Sequence, residues 1–468
     1  MGLINDKDQY ERLDMLIRRR ATWSKFNYLY FSRKHNKYLL FNSLSNAFIE
    51  INNITLLGVL KKIKDNNETE MLSEFPSLYE ELKLSKIIVE SDETEVLKIK
   101  RGILANRYSL NTIIFTLIPT LACNFECPYC FARTEEGGSI TTKISENIVA
   151  LLKQLSANNK STLLNISWMG GEPLLNFKTI KSLTKQLSKP GIRINAHLIT
   201  NGYLMTKEKI ERFKELHITF VQVTVDGLEE EHNLTRIHKQ KKNTFAKIIE
   251  NLDTFFSTYN QEKSIALNLR INLDRNKDYL KKFLNTYLFF KQRYPYRNLF
   301  ISPGFIEDIK ANGFSTSCEF DRASIKEFFK DLAKVGIFDY SLYPKNQISE
   351  CAVRSQTNFV IGPKGELYSC WENIGHQESI VGQLNEDGIP VINNETVFFR
   401  YLTDADYLED ETCLNCFFFP LCVGGCPEKR IRNKHCNAQF DNCMVQKDDI
   451  ENILDLHYEI KQKANTRS

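Results

Sequence analysis

The chain has 468 residues, with 62 basic and 58 acidic side chains and a formal net charge of +4. That balance excludes the strong basic excess of a dedicated nucleic-acid binder, and 31 Phe, 19 Tyr and 3 Trp exclude a chain too poor in apolar residues to fold. The length suits about three domains, or one large enzyme core with additions. The opening stretch, MGLINDKDQYERLDMLIRRR, is charged and lacks the apolar run of a secretory signal. Asp6 also stands where N-myristoylation needs Ser or Thr.

Phe26–Arg33 and Lys37–Asn42 flank His35-Asn36 and predict a hairpin, with Ser43–Ile51 continuing as a helix or a third strand. Ile54–Asp65 places Leu56, Leu57, Val59, Leu60 and Ile63 at helical spacing. Pro76–Leu84 predicts a second helix and Lys86–Glu90 a strand. Residues 1–105 thus form a small hairpin-plus-helices module, either separate or packed as a cap on the main domain. From Asn111 to about Phe300 the pattern alternates. Strands at Thr112–Leu117, Leu163–Trp168, Arg193–Ile199, Phe220–Val225 and Ala266–Ile271 are separated by amphipathic helices such as Lys143–Leu155, Phe177–Leu187 and Lys207–Leu216. This predicts parallel βαβ units in an open or barrel-like sheet, with ligands at the C-terminal strand ends. The longest apolar run, Thr112–Ala122, is too short to span a bilayer and contains Pro119. The remainder, 311–468, is turn-rich and ends in a predicted helix at Lys447–Lys461.

The 12 cysteines are clustered: three between Cys123 and Cys130, eight between Cys351 and Cys443, and Cys318 apart. In a chain without a secretory signal this implies a cytoplasmic protein with reduced thiols serving metal binding or catalysis. Cys123-Asn-Phe-Glu-Cys127-Pro-Tyr-Cys130 follows the first strand of the alternating region. Three thiolates on one loop can hold three irons of a cubane and leave the fourth open; a structural zinc loop is the alternative. The stretch Trp168-Met-Gly170-Gly171-Glu172-Pro173 follows the next strand, where two glycines permit close backbone approach. Further strand ends carry Ile199-Thr200-Asn201-Gly202 and Gln222-Val-Thr224-Val-Asp226-Gly227, the latter trailed by Glu231-His232 and Arg236.

Together these stretches resemble the radical S-adenosylmethionine (SAM) superfamily. There the open iron chelates the methionine part of SAM, and electron transfer yields a 5′-deoxyadenosyl radical that abstracts a substrate hydrogen. The resemblance implies Cys123, Cys127 and Cys130 as cluster ligands and Tyr129 on the cofactor. It implies that the Gly170-Gly171-Glu172 edge binds the SAM amino group, with Thr200 and Asn201 close by. Thr224 and Asp226 would lie near the ribose and Arg236 near the carboxylate. Asn233 stands where that family usually has Asp.

The later cysteines form GxxxxC at Gly365–Cys370, then Cys413-xx-Cys416, Cys422 and Gly424-Gly425-Cys426-Pro427, followed by Cys436 and Cys443. This resembles the SPASM domain, which carries two auxiliary 4Fe-4S clusters; a zinc ribbon is the alternative. The resemblance implies Cys413, Cys416, Cys422 and Cys443 on one cluster and Cys351, Cys370 and Cys426 on the other. Its fourth ligand would be Cys436 or Cys318, or an open iron. The implied architecture is α/β: a partial (β/α)6 radical SAM barrel over 106–310, a SPASM iron–sulfur domain over 311–468, and an N-terminal winged-helix-like (PqqD-like) leader-recognition module over 1–105.

SPASM proteins mostly modify peptides or proteins. The implied activity is that of a maturase installing a thioether or carbon–carbon cross-link in a ribosomally made precursor peptide. Its partners would be the peptide's leader and a flavodoxin- or ferredoxin-type electron donor, with neither nucleic acid nor membrane. Anaerobic sulfatase maturation to formylglycine is the nearest rival, but there an Asp follows the GxxxxC cysteine, and here Trp371 and Glu372 follow Cys370. A catalytically inactive scaffold is the third reading, opposed by the intact cysteine loop and Glu172.

Overall fold

A computed structural model describes residues 21–66, 72, 75–130, 132, 138–259, 265–275, 278–306, 322–337 and 350–465; Cys318 lies outside them. The chain divides into two compact units. One comprises 1–107, 341–351 and 405–468, the other 108–340 and 352–404.

The first unit opens with β1 (Thr22–Trp23), β2 (Asn27–Ser32), β3 (Lys37–Asn42), β4 (Phe48–Ile51) and β5 (Ile88–Val89). Strands β2, β3 and β4 form an antiparallel three-stranded sheet, and β1 pairs with β5. The stretch left open between helix and strand ends as β4. Helices Ile54–Asn66, Pro76–Leu84 and Asp92–Arg107 follow or flank these strands. Leu40 and Ile51 pack with Leu57, Leu60, Ile63, Tyr79 and Leu82. Tyr30, Leu39 and Phe41, alternate residues that point to the opposite sheet face, pack with Phe418, Leu421, Ile450, Leu454 and Tyr458. A third cluster joins Phe26, Leu44, Ile99 and Ile103 to Tyr407, Leu408, Phe419 and Val423. The N-terminal strands and the cysteine-bearing C-terminal helices therefore share their cores.

The second unit is built on β6 (Thr112–Leu117), β7 (Thr162–Trp168), β8 (Ile192–Thr200), β9 (Ile218–Val225), β10 (Ala266–Leu273) and β11 (Leu299–Phe305). These six lie side by side in chain order and are all parallel. The sequence pattern had ended at the fifth of them. Alternation decides the two faces. Leu164, Ile166 and Trp168 of β7, Val221, Val223 and Val225 of β9 and Leu267, Leu269 and Ile271 of β10 are buried. They share one core with Ile148, Leu151 and Leu152 of helix Thr142–Ser156 and Ile180, Leu183 and Leu187 of helix Phe177–Leu187. The opposite face carries polar side chains, among them Asn165, Asn195, Gln222, Asn268, Arg270 and Ser302, all partly buried.

Part of the region read as turn-rich also joins this sheet. The strand β12 (Asn358–Ile361) runs parallel beside β6, and β13 (Glu366–Tyr368), β14 (Gly382–Leu384) and β15 (Pro390–Ile392) extend it antiparallel. These strands of three or four residues are too short for alternation to reveal them. Among the described residues no helix is long and apolar enough to cross a membrane.

Candidate active site

The predicted residues from Cys123 to Arg236 lie at or after the C-terminal ends of β6 to β9, where a parallel sheet leaves room for ligands. The loop after β6 is fixed from two sides by main-chain bonds. On one side the 237–239 segment pairs with it: Glu126 N–H donates to the Ile237 carbonyl (2.9 Å) and Lys239 N–H to the Asn124 carbonyl (3.0 Å). On the other, Gly171 N–H donates to the Thr120 carbonyl (3.1 Å) and Glu172 N–H to the Ala122 carbonyl (2.9 Å). A Cβ at Gly171 would collide with the carbonyl oxygens of Leu121 and Ala122, and one at Gly170 (φ +139°) with that of Thr120. The two glycines are thus required for close approach to the loop that ends in Cys123.

Glu172 is fully buried. Its Oε1 accepts from Leu174 N–H (3.0 Å) and the Thr200 hydroxyl (2.8 Å), and its Oε2 accepts from Asn201 N–H (2.8 Å). The carboxylate thereby starts the helical turn Pro173–Asn176 and ties the end of β7 to the end of β8. Burial raises its pKa, opposed by the Asn201, Leu174 and Thr200 hydrogen bonds. Asn201 passes the restraint on: its Nδ2 donates to Asn124 Oδ1 (2.9 Å) and lies 3.8 Å from Cys123 Sγ.

The Tyr129 hydroxyl is a second junction. It donates to Asp226 Oδ2 (2.5 Å) and accepts from Arg236 Nη1 (3.0 Å) and Asn272 Nδ2 (3.3 Å). Thr235 donates to the same Asp226 oxygen (2.6 Å), and the Arg236 guanidinium lies over the Phe125 ring, 5.6 Å from its centre. His232 accepts from Asp226 N–H at 3.4 Å, and burial holds its pKa well below the ordinary value. Thr224 stands on β9 in register with Arg270 of β10. Arg270 Nε in turn donates to Asn272 Oδ1 (3.2 Å). Asn272 and Thr235 were not singled out by sequence. Their signal was position alone: Asn272 is the last of the alternating polar residues Asn268, Arg270 and Asn272 near the end of β10.

The donor set fits a thiolate-bound iron–sulfur cluster. Burial pushes the Cys123 thiol up to about 11 and the Cys127 thiol to about 12, and the three thiols sense one another. A metal bound there would displace those protons, since the ligand is the thiolate. Asn124 Nδ2, Asp226 Oδ1 and Arg236 Nε are buried beside the loop without a hydrogen-bond partner in the protein, a donor–acceptor set suited to a polar ligand. Among the described residues no three His, Cys, Asp or Glu side chains converge on a single metal ion; a cubane instead spreads its ligands over several irons.

The later cysteines fall in both units. Cys370, buried, ends the β13 turn in the sheet unit; Cys351, Cys413, Cys416, Cys422, Cys426, Cys436 and Cys443 belong to the other unit. There Cys422 lies within electrostatic reach of Cys416 and Cys443. Gly424 (φ +74°) backs onto the Tyr407 ring and Gly425 (φ +77°) onto the Asn442 carbonyl, so side chains at either would clash. Cys351, Cys436 and Cys443 are exposed, and none of the eleven described cysteines forms a disulfide.

Residues 117–270 match the family model described as the radical SAM superfamily. The chain is 25% identical over 345 residues to the cysteine-type anaerobic sulfatase-maturating enzyme of Clostridium novyi, covering 69% of this chain and 90% of that one. It is 23% identical over 447 residues to the radical SAM cyclopropyl synthase TigE of Paramaledivibacter caminithermalis, covering 86% and 89%. The solved structure of native anSMEcpe with bound AdoMet and Cp18Cys peptide superposes with a TM-score of 0.54 at 21% identity, covering 76% of this chain and 99% of that one.

Proposed function

We propose that this chain, which carries a radical SAM domain and is a radical SAM enzyme, is a SPASM-type maturase that cross-links a ribosomally made precursor peptide. The observation that carries the reading is the convergence of Cys123, Cys127 and Cys130 with Glu172, Asn201, Asp226 and Arg236 at adjoining strand ends. Similarity to a protein named as a sulfatase-maturating enzyme and to one named as a radical SAM cyclopropyl synthase supports a maturase acting by radical chemistry.

In this reading Cys123, Cys127 and Cys130 hold a 4Fe-4S cluster and leave one iron for SAM. When bound, the pair supplies a 5′-deoxyadenosyl radical able to abstract a hydrogen atom from carbon. The protein's work is placement. Gly170 and Gly171 let the strand end approach the cluster loop. Glu172 holds Thr200 and Asn201, and Asn201 steadies Asn124 and Cys123. Thr224 and Asp226 would serve the cofactor's ribose and Arg236 its carboxylate, with Tyr129 hydrogen-bonded to Asp226 and Arg236, and Asp226 and Arg236 would offer opposite charges to its polar groups. Cys413, Cys416, Cys422 and Cys443 hold one auxiliary cluster. The remaining cysteines of the SPASM pattern would serve the second auxiliary cluster. A flavodoxin- or ferredoxin-type protein delivers the electron, and the antiparallel β2–β3–β4 sheet receives the leader by strand addition.

The test uses the anaerobically reconstituted chain. About 12 Fe are expected, falling to about 8 when Cys123, Cys127 and Cys130 are all changed to Ala, with SAM cleavage abolished. Reduced enzyme incubated with SAM and short peptides encoded beside its gene should yield 5′-deoxyadenosine and a peptide lighter by two hydrogens. Formylglycine formed in a Cys- or Ser-bearing sulfatase peptide would establish the rival reading, which the Clostridium novyi similarity favours and Trp371 after Cys370 opposes. Stoichiometric zinc with little iron would end both.

A further inference from the structure

We propose that Arg430 and Lys447 set the reduction potential of the auxiliary cluster on Cys413, Cys416, Cys422 and Cys443, raising it so that the cluster accepts an electron readily. The inference rests on the assignment of those four cysteines to one cluster.

Arg430 lies on the helix Pro427–His435 that follows Cys426. Its guanidinium is clamped at every nitrogen. Nε donates to the Ala405 carbonyl (3.0 Å), Nη2 to Asp410 Oδ2 (2.7 Å), and Nη1 to the Gly424 carbonyl (3.4 Å). That clamp leaves Nη1 3.6 Å from Cys413 Sγ, within hydrogen-bonding range of sulfur. Only 13% of the Arg430 side chain is exposed, so water screens the contact little. Lys447, on the turn Val445–Asp449, lies within electrostatic reach of Cys416, Cys443 and Cys422. Two cations thus face the four sulfurs from different elements.

A cubane that takes up one electron gains one negative charge. Hydrogen bonds to ligand sulfurs and nearby positive charge stabilise the reduced form more than the oxidised form, and so raise the potential. Asp410 divides the labour. Its carboxylate balances the charge of Arg430 while its Oδ1 caps Thr412 N–H (3.0 Å) and Cys413 N–H (3.3 Å). Arg430 therefore acts chiefly through its N–H toward sulfur, and Lys447 supplies net positive charge. Asp410 works in the opposite sense.

The experiment is a potentiometric titration of the reconstituted full chain, followed by electron paramagnetic resonance, with iron counted in each variant. Cys413→Ala identifies the signal by removing it. Arg430→Gln and Lys447→Gln should each move that cluster's midpoint to more negative values with iron content unchanged. Asp410→Asn should move it to more positive values. A purely structural salt bridge would give Arg430→Gln and Asp410→Asn the same sign or no shift. Unchanged midpoints in Arg430→Gln and Lys447→Gln at full iron content would overturn the inference and leave the cluster assignment standing. If Cys413→Ala removes no iron, the assignment itself fails, and the inference with it. Lys447 is partly exposed, so its variant remains informative if Arg430→Gln does not fold.

Discussion

The Tyr129 hydroxyl and the Asp226 carboxylate stand 2.5 Å apart, joining the cysteine loop to the end of β9. Arg236 and Asn272 donate to the same hydroxyl, so one phenol oxygen ties the loop to three other segments. Tyr129→Phe leaves both donors without that acceptor and Asp226 Oδ2 with Thr235 alone. Each buried polar group left unmatched costs about 1–3 kcal/mol. Iron content should stay at the wild-type value while 5′-deoxyadenosine yield falls about tenfold or more. A Phe variant with full SAM cleavage would show that the hydroxyl has no part in setting the loop.

Glu172 gives a second, separable outcome. Its three accepted hydrogen bonds place an acceptor-only group against three donors. Glu172→Gln turns one end into a donor facing another donor. The thermal midpoint should fall and the SAM dissociation constant should rise about tenfold or more, for a loss of roughly 1.5–3 kcal/mol in a charge-assisted bond, without loss of iron. Isothermal titration with SAM and melting curves check the two effects side by side. An unchanged SAM affinity with a lowered melting point would assign Glu172 to the strand-end turn alone.

What the sequence disclosed follows the range of the underlying signals. The alternation of Leu164, Ile166 and Trp168, or of Val221, Val223 and Val225, marks strands with one buried face. The motif cysteines and glycines mark the loops between them. Asn272 and Asn124 reach Tyr129 and Asn201, far along the chain, and Thr235 reaches Asp226 across a turn; no apolar periodicity or motif spacing marks such residues. Helix Asp92–Arg107 also escaped notice. Its buried positions, Glu95, Ile99, Ile103 and Arg107, include a carboxylate and a guanidinium, which breaks the apolar stripe a periodicity search relies on. Arg107 is buried because Glu350 (2.8 Å) and Asp406 (2.5 Å) neutralise it, and both lie some three hundred residues or fewer downstream.

The other buried charge on that helix makes stability depend on pH. Burial raises the Glu95 pKa from 4.5 to about 7, opposed by the Ser24 hydroxyl that donates to both carboxylate oxygens (2.8 and 2.9 Å). The folded state therefore holds a proton that the unfolded chain releases, and stability falls as pH rises from 4.5 to about 7, then levels off. The total is at most about 3.5 kcal/mol, at about 1.4 kcal/mol per pKa unit. Glu95→Gln should flatten this segment of the curve and be the more stable protein at pH 8. Urea unfolding at pH 5.5 and pH 8 compares the two; identical pH slopes would place the titrating group elsewhere.

The proposed leader site needs a test that keeps the chain whole. Phe26, Leu44, Ile99 and Ile103 share a core with Tyr407, Leu408, Phe419 and Val423, so deleting residues 1–105 would uncover apolar surface that belongs to the C-terminal helices. A lost activity would then report misfolding. The sheet order β2–β3–β4 leaves β2 and β4 as edges, and an added peptide strand would bond the main chain of one of them. Hydrogen exchange on the intact enzyme reads this directly. Adding a precursor peptide should slow exchange in residues 27–32 or in residues 48–51, but not in both, and leave the central strand 37–42 as it was. Binding at the micromolar scale, about −8 kcal/mol, suffices for the effect to be seen. Protection should persist without SAM and in the Cys123, Cys127 and Cys130 triple variant, because neither edge belongs to the cofactor site. A peptide that is modified by the enzyme yet protects neither edge would remove leader recognition from this sheet.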